Sequence, residues 1–159
     1  MIKNKETFDP GEENMAEKFA GNALTCTNTL VFLAFEAFLI VLLSSGRKAD
    51  ASRDLIILIG GTLFMYLFMG FQMFYFKVSP RYIIVKNHYL PWINWHYKLE
   101  DISKLSISSN PRMSKCLAMT IKSHRFGKMF PAGSLRQDHW WVLQKRLGQA
   151  GFMVNERLF

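Results

Sequence analysis

The chain is short of cysteine, and it lacks the spaced ligands that metal sites need. Its 159 residues include only two cysteines, Cys26 and Cys116, and four histidines. Neither Cys-x-x-Cys nor His-Glu-x-x-His occurs, so we expect no disulfide framework, no metal site and no cofactor. The adjacent acids Glu100 and Asp101 would point to opposite faces of a strand. With no glycine-rich phosphate loop either, the sequence predicts no catalytic residues and no enzyme.

Acidic residues are scarce in the second half of the chain. The stretch 77–159 carries 14 lysines and arginines and four acids, so its net charge is +10. The net charge of the whole chain is +8. Such a domain should attract anionic partners, which include phospholipid head groups and nucleotides. A second interpretation is that these cations only set membrane topology. For a domain tethered to a bilayer, nucleic acid is not the expected partner.

Two long hydrophobic runs stand out, at residues 24–43 and 55–76, separated by the polar connector 44–54. Twenty helical residues extend over about 30 Å, the thickness of the hydrocarbon core of a bilayer. A soluble protein of this size has too little other mass to cover two such helices. The sequence therefore predicts a transmembrane helical hairpin, with the lipid bilayer as its surroundings.

The second run ends in aromatic residues, Phe71, Phe74, Tyr75 and Phe76, followed by Lys77. An aromatic belt followed by a cation is typical of a membrane–water interface. Six lysines and arginines lie near the outer ends of the two runs, against three in or beside the connector. The positive-inside rule therefore places both termini in the cytoplasm.

Residues 1–23 form a polar segment with a break at Asp9-Pro10-Gly11. Met15 and Phe19 are spaced as on one face of a helix, so either a short interfacial helix or a disordered lead-in fits. No small-residue cleavage site follows a hydrophobic run here. We therefore expect no cleavable signal peptide.

After Ser79-Pro80 the pattern changes to short alternating runs that are typical of strands. Ser134 is a plausible helix N-cap, with Gln137 completing a capping box, and Trp140 and Leu143 share one helical face. The sequence therefore predicts a membrane protein of the α+β class. Residues 77–159 form a cytosolic basic β domain that ends in helix 135–149.

This plan resembles the small bacterial membrane proteins with a pleckstrin-homology-like (PH-like) domain, including the YcxB-like group. The resemblance rests on the RYIIV run 81–85, on the step from Trp95 to Leu99-Glu100-Asp101-Ile102, and on the tail 117–152. It covers the hairpin and residues 81–154. It implies a small antiparallel β-sheet or partial barrel with a C-terminal capping helix, and a place in the bacterial inner membrane.

The plan is also similar to that of the two-helix β-barrel effectors of cyclic-nucleotide antiphage defence. In those proteins the barrel binds a cyclic oligonucleotide, and the helices oligomerise and damage the inner membrane. The capped terminal helix favours the PH-like group over this one.

Glu36 interrupts the first hydrophobic run near its middle. An acid at that depth costs about 2.5–3.5 kcal/mol on insertion scales, so it should be paired or uncharged. In an antiparallel hairpin Glu36 lies at the depth of Thr62. A hydrogen bond to Thr62 or Tyr66 is one interpretation, contact between subunits is a second, and a role in moving an ion or proton is a third.

Five cations bracket one predicted hairpin of the β domain, and we expect several of them to converge as a site for a phosphate-bearing ligand. These are Arg112, Lys115, Lys122, Arg125 and Lys128. A solvated basic rim that faces anionic lipid is the alternative. Trp95 and Trp140 are expected in the core. Trp92 and Trp141 are expected on the faces opposite to Trp95 and Trp140, where they could contact membrane or a partner.

Three hypotheses of function follow. The favoured one is a non-enzymatic, membrane-anchored binding or scaffold module that recognises a protein partner or an anionic ligand. The second is a ligand-gated membrane effector that senses a nucleotide and forms homo-oligomers through its helices. The third is an accessory or immunity subunit of a membrane protein complex.

Overall fold

The structure is a computed structural model that describes residues 10–45, 51–110, 113–123 and 126–158. It is of the α+β class, with two long apolar helices followed by mainly antiparallel sheets and by a helix near the C-terminus, after which one more strand follows. Its helices are α1 (Pro10–Met15), α2 (Thr27–Ser44), α3 (Ala51–Gly70) and α4 (Gln137–Gln149). Its strands are β1 (Glu17–Phe19), β2 (Phe74–Val78), β3 (Tyr82–Asn87), β4 (Asn94–Lys98), β5 (Ile102–Asn110), β6 (Met113–Ile121), β7 (Lys128–Pro131) and β8 (Asn155–Leu158).

Helices α2 and α3 form the hairpin that the hydrophobic runs predict. Both are long and apolar enough to cross a membrane, and only 11% of each hydrophobic window is buried by the rest of the protein. At 18 and 20 residues they extend over about 27 and 30 Å. The expected boundaries 24–43 and 55–76 were each displaced by a few residues, and the second was wrong at its end, because α3 stops at Gly70.

The aromatic residues after α3 belong to a strand and not to the end of a membrane helix. Phe74 is 4% exposed and Phe76 is fully buried, and both lie in the main hydrophobic core. The predicted aromatic belt was therefore wrong for these two rings, which pack inside the β domain. After the hairpin, the β domain begins at Phe74, three residues before the expected start.

The N-terminal segment supplies a helix and a strand to the β domain. Strand β1 pairs antiparallel with β2, with Phe19 opposite Phe76. Phe19 is 3% exposed and belongs to the same core cluster. The interpretation of residues 1–23 as only a lead-in to the bilayer was therefore incomplete. Strand β1, which precedes the hairpin, pairs with β2, which follows it.

The strands form two four-stranded sheets, in the orders β1-β2-β3-β4 and β7-β6-β5-β8. All pairings between neighbours are antiparallel except β5 with β8. A bridge between Met73 and Ala132 connects the start of β2 to the end of β7. Apolar side chains from both sheets and from α4 form one shared core.

Helix α4 packs on this core with the predicted face. Trp140 is 2% exposed, and Leu143 and Leu147 are fully buried. The predicted capping box was wrong, because the N-cap is Arg136, and its side chain makes no capping hydrogen bond. Ser134 lies two residues before that N-cap, and its side chain is buried.

Candidate functional site

The polar pair inside the hairpin is present. Thr62 Oγ1 on α3 donates a hydrogen bond of 2.7 Å to Glu36 Oε2 on α2. Among the residues that the structure describes, the second oxygen Oε1 is buried and has no hydrogen-bond partner. One residue away, a Cβ on Gly61 would lie 3.1 Å from Leu39 Cδ1. Glycine thus allows the two helices to approach closely beside Glu36.

The loop between β3 and β4 holds both helices at their base. The hydroxyls of Tyr89 and Thr29 are 2.6 Å apart, which connects the loop to α2. Tyr66 of α3 donates a hydrogen bond of 2.5 Å to the carbonyl oxygen of Tyr89. Asn87 donates through Nδ2 to the carbonyl oxygen of Gly70, the last residue of α3, at 2.6 Å. A movement of this loop would therefore change its contacts with both helices.

An ion-pair cluster attaches the N-terminal segment to the first sheet. Glu13 of α1 lies between Lys77 of β2, at 2.9 Å, and Lys86 of β3. Hydrogen bonds from Lys86 and from Lys77 hold the pKa of the Glu13 carboxyl below its usual range. Nearby, burial and then the charge of Lys18 lower the pKa of His88. The folded state therefore favours the deprotonated carboxylate of Glu13 and the neutral imidazole of His88.

The predicted basic cluster is divided by the fold. Lys115 lies near the start of β6, whereas Lys122 directly follows Ile121, the last residue of that strand. The length of the strand therefore separates the two lysines. Lys115 Nζ lies 5.9 Å from the centre of the Trp140 ring. Arg112 and Arg125 lie outside the described residues. Among the three lysines, Lys115 lies apart from the other two.

Lys128 occupies a different setting, beside aromatic rings. Its Nζ lies 5.0 Å from the centre of the Tyr97 ring and donates to the Tyr97 hydroxyl at 3.3 Å. Burial raises the pKa of Tyr97 to about 12. The Tyr97 hydroxyl therefore stays neutral at physiological pH.

An open aromatic groove of about 500 Å³ surrounds Lys128. It is lined by Phe71, Phe74, Trp95, Tyr97, Lys128, Met129 and Phe130. Phe71 directly follows α3 and is 55% exposed, so the groove begins at the end of that helix. The sequence does not indicate this groove, because its residues come from β2, β4, β7 and the position that directly follows α3.

The tryptophans are distributed partly as expected. Trp92 is 72% exposed and Trp141 is 63% exposed, so both are accessible to a membrane or a partner. The placement of Trp95 in the core was wrong, because it is 41% exposed. Its ring packs against Phe74 and Phe130, with centroids 6.0 and 5.8 Å away, and forms one wall of the groove.

Within the described ranges, no three His, Cys, Asp or Glu side chains lie together as a metal site would require. Cys26 and Cys116 are both buried as free thiols. No family model and no curated protein matches the chain.

Proposed function

We propose that the chain is an integral membrane protein whose α2–α3 hairpin spans a bilayer. The observation that carries this proposal is that both helices have apolar side chains which the rest of the protein leaves exposed. Their exposed side chains include Leu30, Val31, Leu33, Phe38, Ile40, Val41, Leu42, Leu55, Ile56, Ile57, Ile59, Leu63, Phe64, Leu67 and Phe68. A patch of this extent marks contact with lipid or another apolar surface, because soluble monomers rarely expose one.

The pairing of β1 with β2 supports an even number of crossings. Since the chain enters α2 just after β1 and leaves α3 just before β2, both outer ends of the hairpin lie beside one sheet. The lysine and arginine counts favour the cytoplasm for that side. We therefore assign the protein to a bacterial inner membrane, with both termini and the β domain in the cytoplasm.

At that surface the β domain acts as a non-enzymatic binding module of the PH-like type. Two sheets that share a core with a C-terminal helix support this assignment. The excess of 10 positive charges in residues 77–159 favours an anionic ligand or an acidic face of a protein partner. The aromatic groove with Lys128 is the preferred contact, because it opens beside the end of α3.

The test is binding by the full chain in nanodiscs of a neutral lipid. Thermal midpoints are measured with a panel of soluble lipid head groups and cyclic nucleotides, since a ligand of the folded state raises the midpoint by mass action. Lys128→Gln should remove any shift that depends on the groove, and Lys104→Gln, which changes an exposed cation on β5, should not. A Lys128→Gln shift equal to that of the unaltered chain would contradict the groove assignment.

A panel without effect would direct the search to protein partners. Capture of one membrane protein, in constant ratio and without added ligand, would favour an accessory or immunity subunit. Loss of that capture in Lys128→Gln would keep the groove as the contact.

A ligand-gated effector is the second candidate, favoured by the contacts of the β3–β4 loop. Tyr89 touches α2 through Thr29 and α3 through Tyr66, so ligand binding in the β domain has a direct route to the helices. Glu36 Oε1 has no hydrogen-bond partner among the described residues, but it is buried, so a contact with a second copy would require α2 and α3 to move apart. Oligomers that grow with concentration and respond to one cyclic nucleotide would support this candidate, and oligomers unaffected by the panel would contradict it.

A further inference from the structure

The β3–β4 loop lies at the end of the hairpin where α2 begins and α3 ends, and it carries no charged residue. The stretch 87–97 contains no Lys, Arg, Asp or Glu, and it is the longest such stretch within the strongly basic part 77–159. His88 adds no charge at physiological pH, because burial lowers the pKa of its imidazole. The loop therefore has a composition that suits a lipid surface.

The contacts of Tyr89 show how far this loop extends along the helices. Tyr66 donates a hydrogen bond of 2.5 Å to the carbonyl oxygen of Tyr89, and it lies four residues before Gly70, the last residue of α3. Four helical residues extend over about 6 Å. On the other helix, the Tyr89 hydroxyl is 2.6 Å from the hydroxyl of Thr29, which lies in the first turn of α2. The loop therefore runs beside the last turn of α3 and the first turn of α2.

An apolar pocket of about 150 Å³ lies at the same depth, between the two helices and the loop. It is lined by Thr29, Phe32, Leu33, Tyr66, Met69 and Tyr89. Leu33 is 55% exposed, so the pocket opens to the outer surface of the hairpin. An apolar cavity of about this size stays dry in water and takes up a small hydrocarbon such as benzene. Lipid chains are therefore better neighbours than water for this side of the loop.

The tip of the loop is a tight turn that exposes a tryptophan. The backbone N–H of Ile93 donates to the carbonyl oxygen of Leu90 at 2.9 Å, and Pro91 occupies the second position of the turn, where proline is favoured. Leu90 and Ile93 are buried, whereas Trp92 is 72% exposed, more than any other tryptophan of the chain. The buried pair thus holds a turn that presents Pro91 and Trp92. Tryptophan is enriched at membrane–water interfaces, because its ring is apolar and its N–H is polar.

We propose that the β3–β4 loop is a second membrane contact, in which Pro91 and Trp92 enter the head-group layer of the cytoplasmic leaflet. Three observations carry this inference: the uncharged stretch 87–97, the attachment of Tyr89 beside the end turns of both helices, and the exposed turn at the tip. Together with the hairpin, the loop fixes the orientation of the β domain at the membrane surface. The inference rests on the proposed function in one respect, since the hairpin is what brings lipid to the loop.

The experiment uses the full chain in vesicles of phosphatidylcholine and phosphatidylglycerol, in which part of the phosphatidylcholine carries bromine near the head-group end of one acyl chain. Bromine in contact with tryptophan quenches its fluorescence. The four tryptophans all lie in the β domain, at positions 92, 95, 140 and 141, and the hairpin contains none. Any quenching therefore comes from the β domain. It should be weaker when the bromine lies near the methyl end of the chain, because the loop enters only the outer layer.

The variants assign the quenching to one tryptophan. Trp92→Phe should lower the quenched fraction by at least about twofold and leave the thermal midpoint nearly unchanged, since the side chain is exposed. Trp141→Phe is the matched control and should keep most of the quenching, because Lys145 Nζ lies 5.6 Å from the centre of the Trp141 ring, on the other side of the chain's charge pattern. Trp92→Phe combined with Ser103→Trp restores the number of tryptophans but should not restore the quenching. Ser103 is exposed and lies beyond the end of β4 that is farther from the loop.

The proposal is overturned if Trp92→Phe keeps the quenching of the unaltered chain, if Trp141→Phe loses more of it, or if the added Ser103→Trp restores it. Resistance of the chain to carbonate extraction from membranes is measured in parallel. A chain that stays in the membrane without quenching of Trp92 would refute the loop contact alone. A chain that is extracted would refute the membrane hairpin, whatever the quenching.

Discussion

Thr62 on α3 donates a hydrogen bond to Glu36 on α2, so the acid in the first apolar helix has a partner in the second. The antiparallel hairpin brings the two side chains to the same depth, as the sequence spacing predicts. Only Oε2 of the Glu36 carboxyl accepts a hydrogen bond. Oε1 is buried and has no partner among the described residues. The pair thus connects the two helices and leaves one buried acceptor that could be reached only if the helices moved apart.

The first prediction concerns the strength of this pair. Thr62→Val should destabilise the hairpin by about 0.6–1.7 kcal/mol, the range of hydrogen bonds between membrane helices. Adding Glu36→Leu should recover stability, because the unpaired carboxyl is then also removed. Unfolding in mixed micelles measures both variants. Additive losses in the double variant would show that the two side chains do not act as a pair.

The second prediction concerns the free oxygen of Glu36. Glu36→Leu should leave insertion intact and shift the oligomer distribution on native gels, if Oε1 contacts a second copy. Thr62→Val is the matched control, since it keeps the carboxyl that such a contact needs. An unchanged distribution in Glu36→Leu would refute the contact between subunits and leave the pair with a role inside one hairpin.

The sequence predicted the two apolar helices from the length of their hydrophobic runs, and the strands after Ser79 from their alternation of apolar and polar residues. It failed at β2, whose residues Phe74 and Phe76 continue the apolar run of α3, where composition alone cannot separate strand from helix. It also missed β1, a strand of three residues whose partner lies beyond the whole hairpin. Such pairing depends on tertiary contacts rather than on local preference.

The candidate site was less predictable than the fold. The five cations are close in sequence, but the length of β6 separates Lys115 from Lys122. The aromatic groove combines residues from distant segments, so no spacing in the sequence indicates it. The predicted capping box included Ser134, whose side-chain oxygen has no hydrogen-bond partner among the described residues.

The third prediction follows from the position of β1 and β2. A fragment of residues 77–159 should not fold, because it lacks Phe19, Phe74 and Phe76, which are all buried in the core. Removing even one buried phenylalanine costs about 3–5 kcal/mol when it is replaced by alanine. Near-ultraviolet circular dichroism should show no fixed tertiary packing. A native-like spectrum would refute the contribution of β1 and β2 to the core.

The fourth prediction is acid lability of the N-terminal attachment. The folded state lowers the pKa of both His88 and Glu13, so protonation favours the unfolded chain. Each contribution is complete above the ordinary pKa, about 6.5 for histidine and 4.3 for glutamate, and is lost as the pH falls through the lowered value. The thermal midpoint should therefore fall in two stages. Glu13→Gln should lack the lower stage, and retention of that stage would contradict the assignment.

The most direct test of the membrane hairpin labels single cysteines with an impermeant maleimide in spheroplasts. Ser52→Cys places a thiol at an exposed position near the start of α3, and Ser103→Cys places one at an exposed position of β5. The native Cys26 and Cys116 are buried. If the hairpin spans the membrane and the β domain is cytoplasmic, Ser52→Cys reacts in intact spheroplasts and Ser103→Cys reacts only after lysis. Labelling of Ser103→Cys from outside, or protection of both until lysis, would contradict a spanning hairpin with a cytoplasmic β domain.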